Sequence, residues 1–393
     1  MVVRDMVEFV ERHGEWREKQ AIDSLQKVAL KWNKGEEPVS LFGASYGTVL
    51  GALLAAMQPN RVNRLLLDGV VDSEAWFKGN PTVSSLTADD PVHKFSEYCA
   101  LAGPENCSMW AGNSSRDTER RWENIVLDLE KNGPRPDPIN PGKTIDASNV
   151  RAMMARLNSR PLLKWPAVAE VLSRLPTGNA PLGTNESFAG KGDGGRNSTQ
   201  GTRIPLDADM SNDNVIRGGD LTVRLSPQEF RTQQLEPLRR VIPLTADVQA
   251  SRGMTYFNWP IQFGWRFGDK HAVASNVTAN PILFSSNLVD GVTGLPAAQT
   301  MQSRFKGSGL LITDGEGHTG RAESSLCYAK TVRRYFQKGE LPDTSKHCLP
   351  LRRPFMGKKG PNVEVIDRTT WTKEDKMLFR AIDAPCPWES YCD

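Results

Sequence analysis

Pro38-Val-Ser-Leu-Phe42, Gly43-Ala-Ser-Tyr-Gly47 and Thr48-Val-Leu-Gly-Ala-Leu-Leu-Ala-Ala-Met57 follow one another without a break. The first piece is apolar, short and β-branched, and it predicts a buried strand. The apolar run Val49 to Met57, stopped by Pro59, predicts a helix. Between them lies a G-x-S-x-G sequence, with Ser45 at its centre. A serine on a sharp turn from strand to helix is the arrangement of a nucleophile elbow. The flanking Gly43 and Gly47 are expected because larger side chains would collide with the sheet. The turn would lift the Ser45 hydroxyl above the sheet edge, with the Tyr46 N–H aimed where an oxyanion forms. The helix dipole there favours negative charge. Arg64-Leu-Leu-Leu-Asp68 predicts the next buried strand, so the stretch is a βαβ unit with a parallel sheet.

Outward from this unit the pattern changes twice. Upstream, residues 2–13 predict a helix, and Ala21, Ile22, Leu25, Val28, Ala29 and Trp32 fall on one face of a second. Downstream, residues 76–275 hold helical patches at Asp117–Lys131 and Val150–Leu157. A Gly/Asn/Ser/Asp-rich loop near residues 183–207 lacks the apolar content to pack a core. The βα pattern then returns, with strands at Pro281–Ser285 and Gly309–Thr313 and a helix at Ala322–Gln337. The expected fold is α/β: a doubly wound, mostly parallel sheet in two parts, residues 1–75 and 276–350. A helical cap spans 76–275, and a basic, proline-containing tail, 351–393, is unassigned.

Composition narrows the function classes. A net charge of +3 over 49 basic and 46 acidic residues is no nucleic-acid footprint. No apolar run approaches the roughly 20 residues needed to span a bilayer. The six cysteines form neither CxxC pairs nor zinc-ligand spacing with the five histidines. Six cysteines allow fifteen pairings, among which proximity favours Cys99 with Cys107, Cys327 with Cys348 and Cys386 with Cys392. With sequons at Asn106, Asn113, Asn185, Asn197 and Asn276, these cysteines point to a secreted glycoprotein. The opening residues, Met1-Val-Val-Arg-Asp-Met-Val-Glu-Phe-Val-Glu-Arg12, form a charged helical pattern and not a signal peptide.

An activated serine needs a base and an acid to orient it. His318 follows the Gly309–Thr313 strand and Asp290 follows the Pro281–Ser285 strand, at the strand ends where doubly wound folds place their sites. His13 lies in a charged helix, and His93, His271 and His347 follow no strand. The order Ser45, Asp290, His318 is that of α/β-hydrolases. Asp68, Asp72 and Asp314 are the rival acids. Asp68 and Asp72 are expected to anchor the insertion, and Asp314 to end its strand.

Leu41-Phe-Gly-Ala-Ser-Tyr-Gly-Thr48 and Asn63-Arg-Leu-Leu-Leu-Asp-Gly-Val-Val-Asp72 resemble the serine peptidases of the prolyl/tripeptidyl aminopeptidase group. Trp259-Pro260, Pro281-Ile-Leu-Phe284, Asp290-Gly-Val-Thr293, Phe305-Lys-Gly-Ser308 and Gly317-His318 continue the likeness. Cys327, Arg334-Tyr-Phe336, Gly339-Glu-Leu-Pro342 and Cys348 are similar to the TAP-like C-terminal region of that group. The likeness covers about residues 35–76 and 255–350, in the style of secreted fungal or bacterial members. It implies an α/β-hydrolase with Ser45 as nucleophile, Asp290 as orienting acid and His318 as general base. It also implies a Cys327–Cys348 bridge and no metal or organic cofactor.

Members of the group carry a Gly-Gly-Pro-Gly loop upstream of the elbow, which supplies a second oxyanion N–H. None of the 44 residues before Ser45 contains it. The expectation is therefore a catalytic domain whose first strands, roughly 100 residues, are missing at the N-terminus. Thr319 stands where a cysteine is common. The implied activity is release of residues or short peptides from peptide N-termini, with Glu74 or an acid of the cap holding the substrate amine. An esterase, lactonase or amidase of secondary metabolism is the alternative within the chemistry, and an impaired binding relative the alternative outside it. The expected partner is a peptide or small-molecule substrate, and the oligomeric state is left open.

Overall fold

The computed structural model describes residues 2–80, 85–158, 160–175, 215–257, 259–260, 276–356 and 368–383. The chain divides into two compact units. One comprises Met1–Ser84, Phe267–Leu351 and Asp367–Cys392, the other Ser85–Arg266 and Arg352–Ile366 with the last residue.

The first unit is built on a parallel four-stranded sheet. Its elements in chain order are α1 (Val2–Lys19), α2 (Ser24–Ala29), β1 (Val39–Ala44), α3 (Tyr46–Met57), β2 (Val62–Asp68) and α4 (Ser73–Lys78). The chain returns to it with β3 (Leu283–Val289), α5 (Leu295–Arg304), β4 (Gly309–Glu316), α6 (Leu326–Lys338) and α7 (Lys373–Asp383). The strand order is β1-β2-β3-β4, every pair parallel. Register aligns Ala44 with Asp68, and Asp68 with Ser285. The ends of β1 and β2 therefore lie side by side, while β3 and β4 run on together to Val289 and Glu316.

Strand periodicity explains why both faces are covered. Leu65 and Leu67 point to one face and pack with Phe284, Ile312, Ala52 of α3 and Met301 of α5. Leu66, between them, points to the other face with Leu283, Leu311, Tyr328 and Tyr335. Each fully buried leucine contributes roughly 1.5–3 kcal/mol. At the start of β2, the Tyr335 hydroxyl accepts the Leu65 N–H at 2.7 Å and lies 2.8 Å from the Pro281 carbonyl. The β2–β3 ladder begins only after this insertion, at Leu66 and Leu283.

Four expectations shift. Strand β3 is Leu283–Val289 and not Pro281–Ser285, because Ser285, Ser286 and Asn287 continue the strand while fully buried. Strand β4 runs to Glu316, so Asp314 lies within it and its N–H donates to the Cys348 carbonyl. The helix expected across Ala21–Trp32 is only Ser24–Ala29, and its apolar stripe stands in the open: Ile22 is 85% exposed, Leu25 81% and Val28 78%. The helix expected from Ala322 begins at Leu326, capped by the Ser325 hydroxyl.

The second unit is helical over most of its described length. Asp90–Ala102, Ser115–Asn132, Ala147–Ala155 and Pro161–Arg174 surround a core of Phe95, Trp122, Trp165 and Phe355. Cys99 and Cys107 are bridged here, and Cys327 and Cys348 in the first unit. Cys386, Cys392 and the expected loop near 183–207 lie outside the described residues.

Candidate active site

Ser45 occupies the turn between β1 and α3 at φ 55° and ψ −123°. A residue with a side chain holds this left-handed conformation only when its neighbours fix it. Its N–H donates to the Asp68 carbonyl at 3.0 Å, and its carbonyl accepts from the Thr48 N–H and, at 2.6 Å, from the Thr48 hydroxyl. That hydroxyl in turn accepts the Val71 N–H at 3.0 Å, which ties the start of α3 to the loop after β2. The glycines act differently from the expectation. A Cβ on Gly43 would lie 2.5 Å from the Gly47 carbonyl oxygen, so the main obstacle is the backbone of the turn and not the sheet. At Gly47 a Cβ would meet nothing within 4 Å. The Tyr46 amide sits at the N-terminus of α3, and its ring packs 5.2 Å from that of Trp76.

Asp290 directly follows β3, and its side chain is completely buried. Its carboxylate accepts the N–H groups of Val292 (2.8 Å), Thr293 (2.9 Å) and Thr319 (3.3 Å), and the Thr293 hydroxyl at 2.8 Å. It also pairs with His318, whose Nδ1 lies 2.9 Å from Oδ2 and 3.3 Å from Oδ1. Thr293 Oγ1 stands 3.1 Å from the same nitrogen. The imidazole is thus fixed through Nδ1. Its Nε2 is buried and has no hydrogen-bond partner among the described residues.

The electrostatics follow from this packing. Burial alone would raise the Asp290 pKa, but the His318 charge and hydrogen bond and the two backbone donors outweigh it and hold the carboxyl below its usual range. Burial alone would lower the His318 pKa, yet Asp290 overrides it, with a further contribution from Asp68, and the imidazole is raised.

The loop carrying His318 is clamped from several strand ends. Gly317 N–H donates to the Val289 carbonyl at 2.8 Å. The Asn287 side-chain amide donates to the carbonyls of Gly317 (2.8 Å) and Thr319 (2.7 Å). Thr319 itself has φ 69°, a left-handed backbone on a β-branched residue.

The rival acids have other employment. Asp72 caps α4 through the N–H groups of Glu74 and Ala75 and pairs with Arg304 at 3.2 Å. Asp68 accepts the Gly320 N–H and the Tyr328 hydroxyl. Both carboxylates therefore hold the first unit together and do not anchor the insertion. Glu74 pairs with Lys78 at 2.6 Å and Arg304 at 3.0 Å. His13 stacks on Trp16, and His93 lies 3.0 Å from Glu119; His347 is exposed and His271 lies outside the described residues. Among the described residues, no three His, Cys, Asp or Glu side chains are grouped to hold a metal ion.

Asn287 and Thr293 are the residues that sequence reasoning passed over. Thr293 carries a local signal, since it stands three residues after Asp290 at the spacing of a side-chain-to-backbone turn. Asn287 carries only its oddity, an amide inside a buried strand.

Residues 253–348 match the family described as TAP-like protein. The chain is 24% identical over 341 residues to serine protease Hip1 of Mycobacterium tuberculosis, covering 81% of this chain and 59% of that protein. It is 21% identical over 334 residues to tripeptidyl aminopeptidase of Streptomyces lividans, covering 81% of this chain and 56% of the relative. A putative hydrolase of Escherichia coli, YuaR, matches at 22% over 317 residues, covering 77% and 56%. The chain thus spans little more than half the length of the curated relatives it matches. With a parallel sheet wound on both faces and a G-x-S-x-G elbow between β1 and α3, the fold is that of an α/β-hydrolase, and across β3, β4 and α6 the chain is similar to the TAP-like family.

Proposed function

We propose that this chain is a serine hydrolase that releases residues or short peptides from peptide N-termini through an acyl-enzyme. The observation that carries the reading is the buried Asp290–His318 pair, 2.9 Å apart, on the same sheet edge as the strained Ser45. In this reading Ser45 Oγ attacks the substrate carbonyl and its proton passes to His318 Nε2. Asp290 holds the Nδ1 proton and stabilises the imidazolium that forms. The Tyr46 N–H receives the developing oxyanion. His318 then protonates the leaving amine, and a water, deprotonated by His318, releases the acyl group from Ser45.

The preference for peptide N-termini rests on the similarity to a tripeptidyl aminopeptidase. The Cys99–Cys107 and Cys327–Cys348 bridges support a working place outside the reducing cytosol. The exposed sequon residues Asn106, Asn113 and Asn276 support a glycosylated, secreted protein.

Turnover of tripeptidyl nitroanilides with free and with acetylated N-termini, beside nitrophenyl esters, tests the specificity. The expected result is a kcat/KM at least about tenfold higher for the free amine, since losing one charged contact costs about 1.5–3 kcal/mol. Equal rates on blocked peptides, or turnover of esters alone, would overturn the N-terminal preference.

A further inference from the structure

Asp68 is the last residue of β2 and is completely buried. It is in contact with both halves of the site. Its main-chain carbonyl accepts the Ser45 N–H at 3.0 Å. Its carboxylate accepts the Gly320 N–H, 3.0 Å from each oxygen, two residues past His318. The Tyr328 hydroxyl, from the first turn of α6, donates to Oδ2 at 3.0 Å. Gly320 leaves no room for a side chain, because a Cβ there would lie 2.3 Å from the Tyr328 ring. The neighbouring Gly69 also lies against this loop, since a Cβ on it would lie 2.8 Å from Thr319 Cγ2 and 3.1 Å from His318 Cε1.

We propose that Asp68 is a positioning residue: its backbone fixes the Ser45 turn, and its carboxylate holds the His318 loop at the matching depth and charge. The proposal rests on the catalytic reading of Ser45 and His318 given above. Asp290 orients the imidazole ring about Nδ1, whereas Asp68 sets where the loop that carries the ring stands relative to the elbow. Misplacing a catalytic group by about 1 Å can cost on the order of 100-fold in rate.

Burial pushes the Asp68 pKa up, opposed by Gly320, Tyr328 and His318. Burial and the adjacent carboxylate push the Tyr328 phenol well above its ordinary value, so it stays protonated and donates. The charged and titratable groups around the loop are Asp68, Asp290, Tyr328, Arg321, Glu316 and Glu323. Among the described residues, Asp68 and Asp290 are the groups that act electrostatically to raise His318. Removing the Asp68 charge therefore lowers the His318 pKa.

The test compares the full chain with Asp68→Asn in three measurements: the rate of fluorophosphonate labelling, the His318 ring titration by NMR, and the thermal unfolding midpoint. The expected result is labelling slowed about 10- to 100-fold, with a downward shift of the His318 titration and a midpoint close to that of the parent. Labelling and titration both unchanged would overturn the proposal. If the parent itself is not labelled, the catalytic reading fails, and the His318 titration alone then decides: a downward shift in Asp68→Asn upholds the electrostatic hold and no shift ends it. Should Asp68→Asn not fold, Tyr328→Phe takes its place. That variant keeps the carboxylate but removes one of its donors, and it should label several-fold more slowly than the parent; parental labelling would overturn the proposal.

Discussion

The His318 imidazole sits between opposing influences, burial disfavouring its charge and Asp290 favouring it, and the carboxylate wins. A general base must be neutral to accept the Ser45 proton. Because the folded pKa lies above the ordinary imidazole value of about 6.5, the acid limb of the activity profile is displaced upward. Probe labelling measured against pH should fall as the pH drops through this raised pKa. In Asp290→Asn the limb should move to lower pH, with the maximal rate down by about 10³- to 10⁴-fold. A limb at or below the ordinary value in the parent would contradict the coupling. At this scale the strand-end positions of Ser45, Asp290 and His318 were legible, because the strand patterns and glycine flanks are written in the chain itself. Asn287, Thr293 and the Gly320 contact of Asp68 were not, since their partners are backbone groups brought in by the fold.

Among the elements, α1 is attached through charged groups. Glu11 accepts from Arg61 (2.7 Å), Trp32 (2.8 Å) and the N–H groups of Gly35 (3.0 Å) and Glu37 (3.3 Å). Beside it the buried Glu37 pairs with Arg17 at 2.9 Å. Burial opposes the Glu11 charge, but these donors prevail and bring its pKa to about 2 from an ordinary 4.5. A carboxylate lowered on folding stabilises fully above its unfolded value and loses that contribution as the pH falls from about 4.5 towards 2. Glu11→Gln should lower the unfolding midpoint near neutral pH by about 2–6 °C, and the gap to the parent should close across that acid window. A gap independent of pH would contradict the ionic account.

Element boundaries were legible where apolar periodicity was continuous, as in α3. They failed where buried polar residues prolong a strand, as at Ser285–Asn287 in β3. The Ile22–Val28 stripe misled for the opposite reason: it has helical period, but in the described structure no element packs over it.

At the scale of the molecule, the site exists only because the chain leaves the sheet after β2 and returns to it at β3. Leu66 pairs with Leu283 across more than two hundred residues. Ser45 is therefore brought to the same sheet edge as Asp290 and His318 by long-range strand pairing, which closes late and slowly in folding. Sequence reading reached this arrangement through the second βα pattern, whose strands could complete a parallel sheet only beside the first. In the described structure β1 is paired on one side. Among the described residues that strand pairs with β2 alone, leaving its other edge without a strand.

The most direct test of the central claim is fluorophosphonate labelling of the purified, folded chain beside Ser45→Ala and His318→Ala. An activated Ser45 predicts labelling of the parent, none in Ser45→Ala, and labelling slowed by at least about 10³-fold in His318→Ala. A folded parent that takes no label, or label that persists in Ser45→Ala, would contradict it.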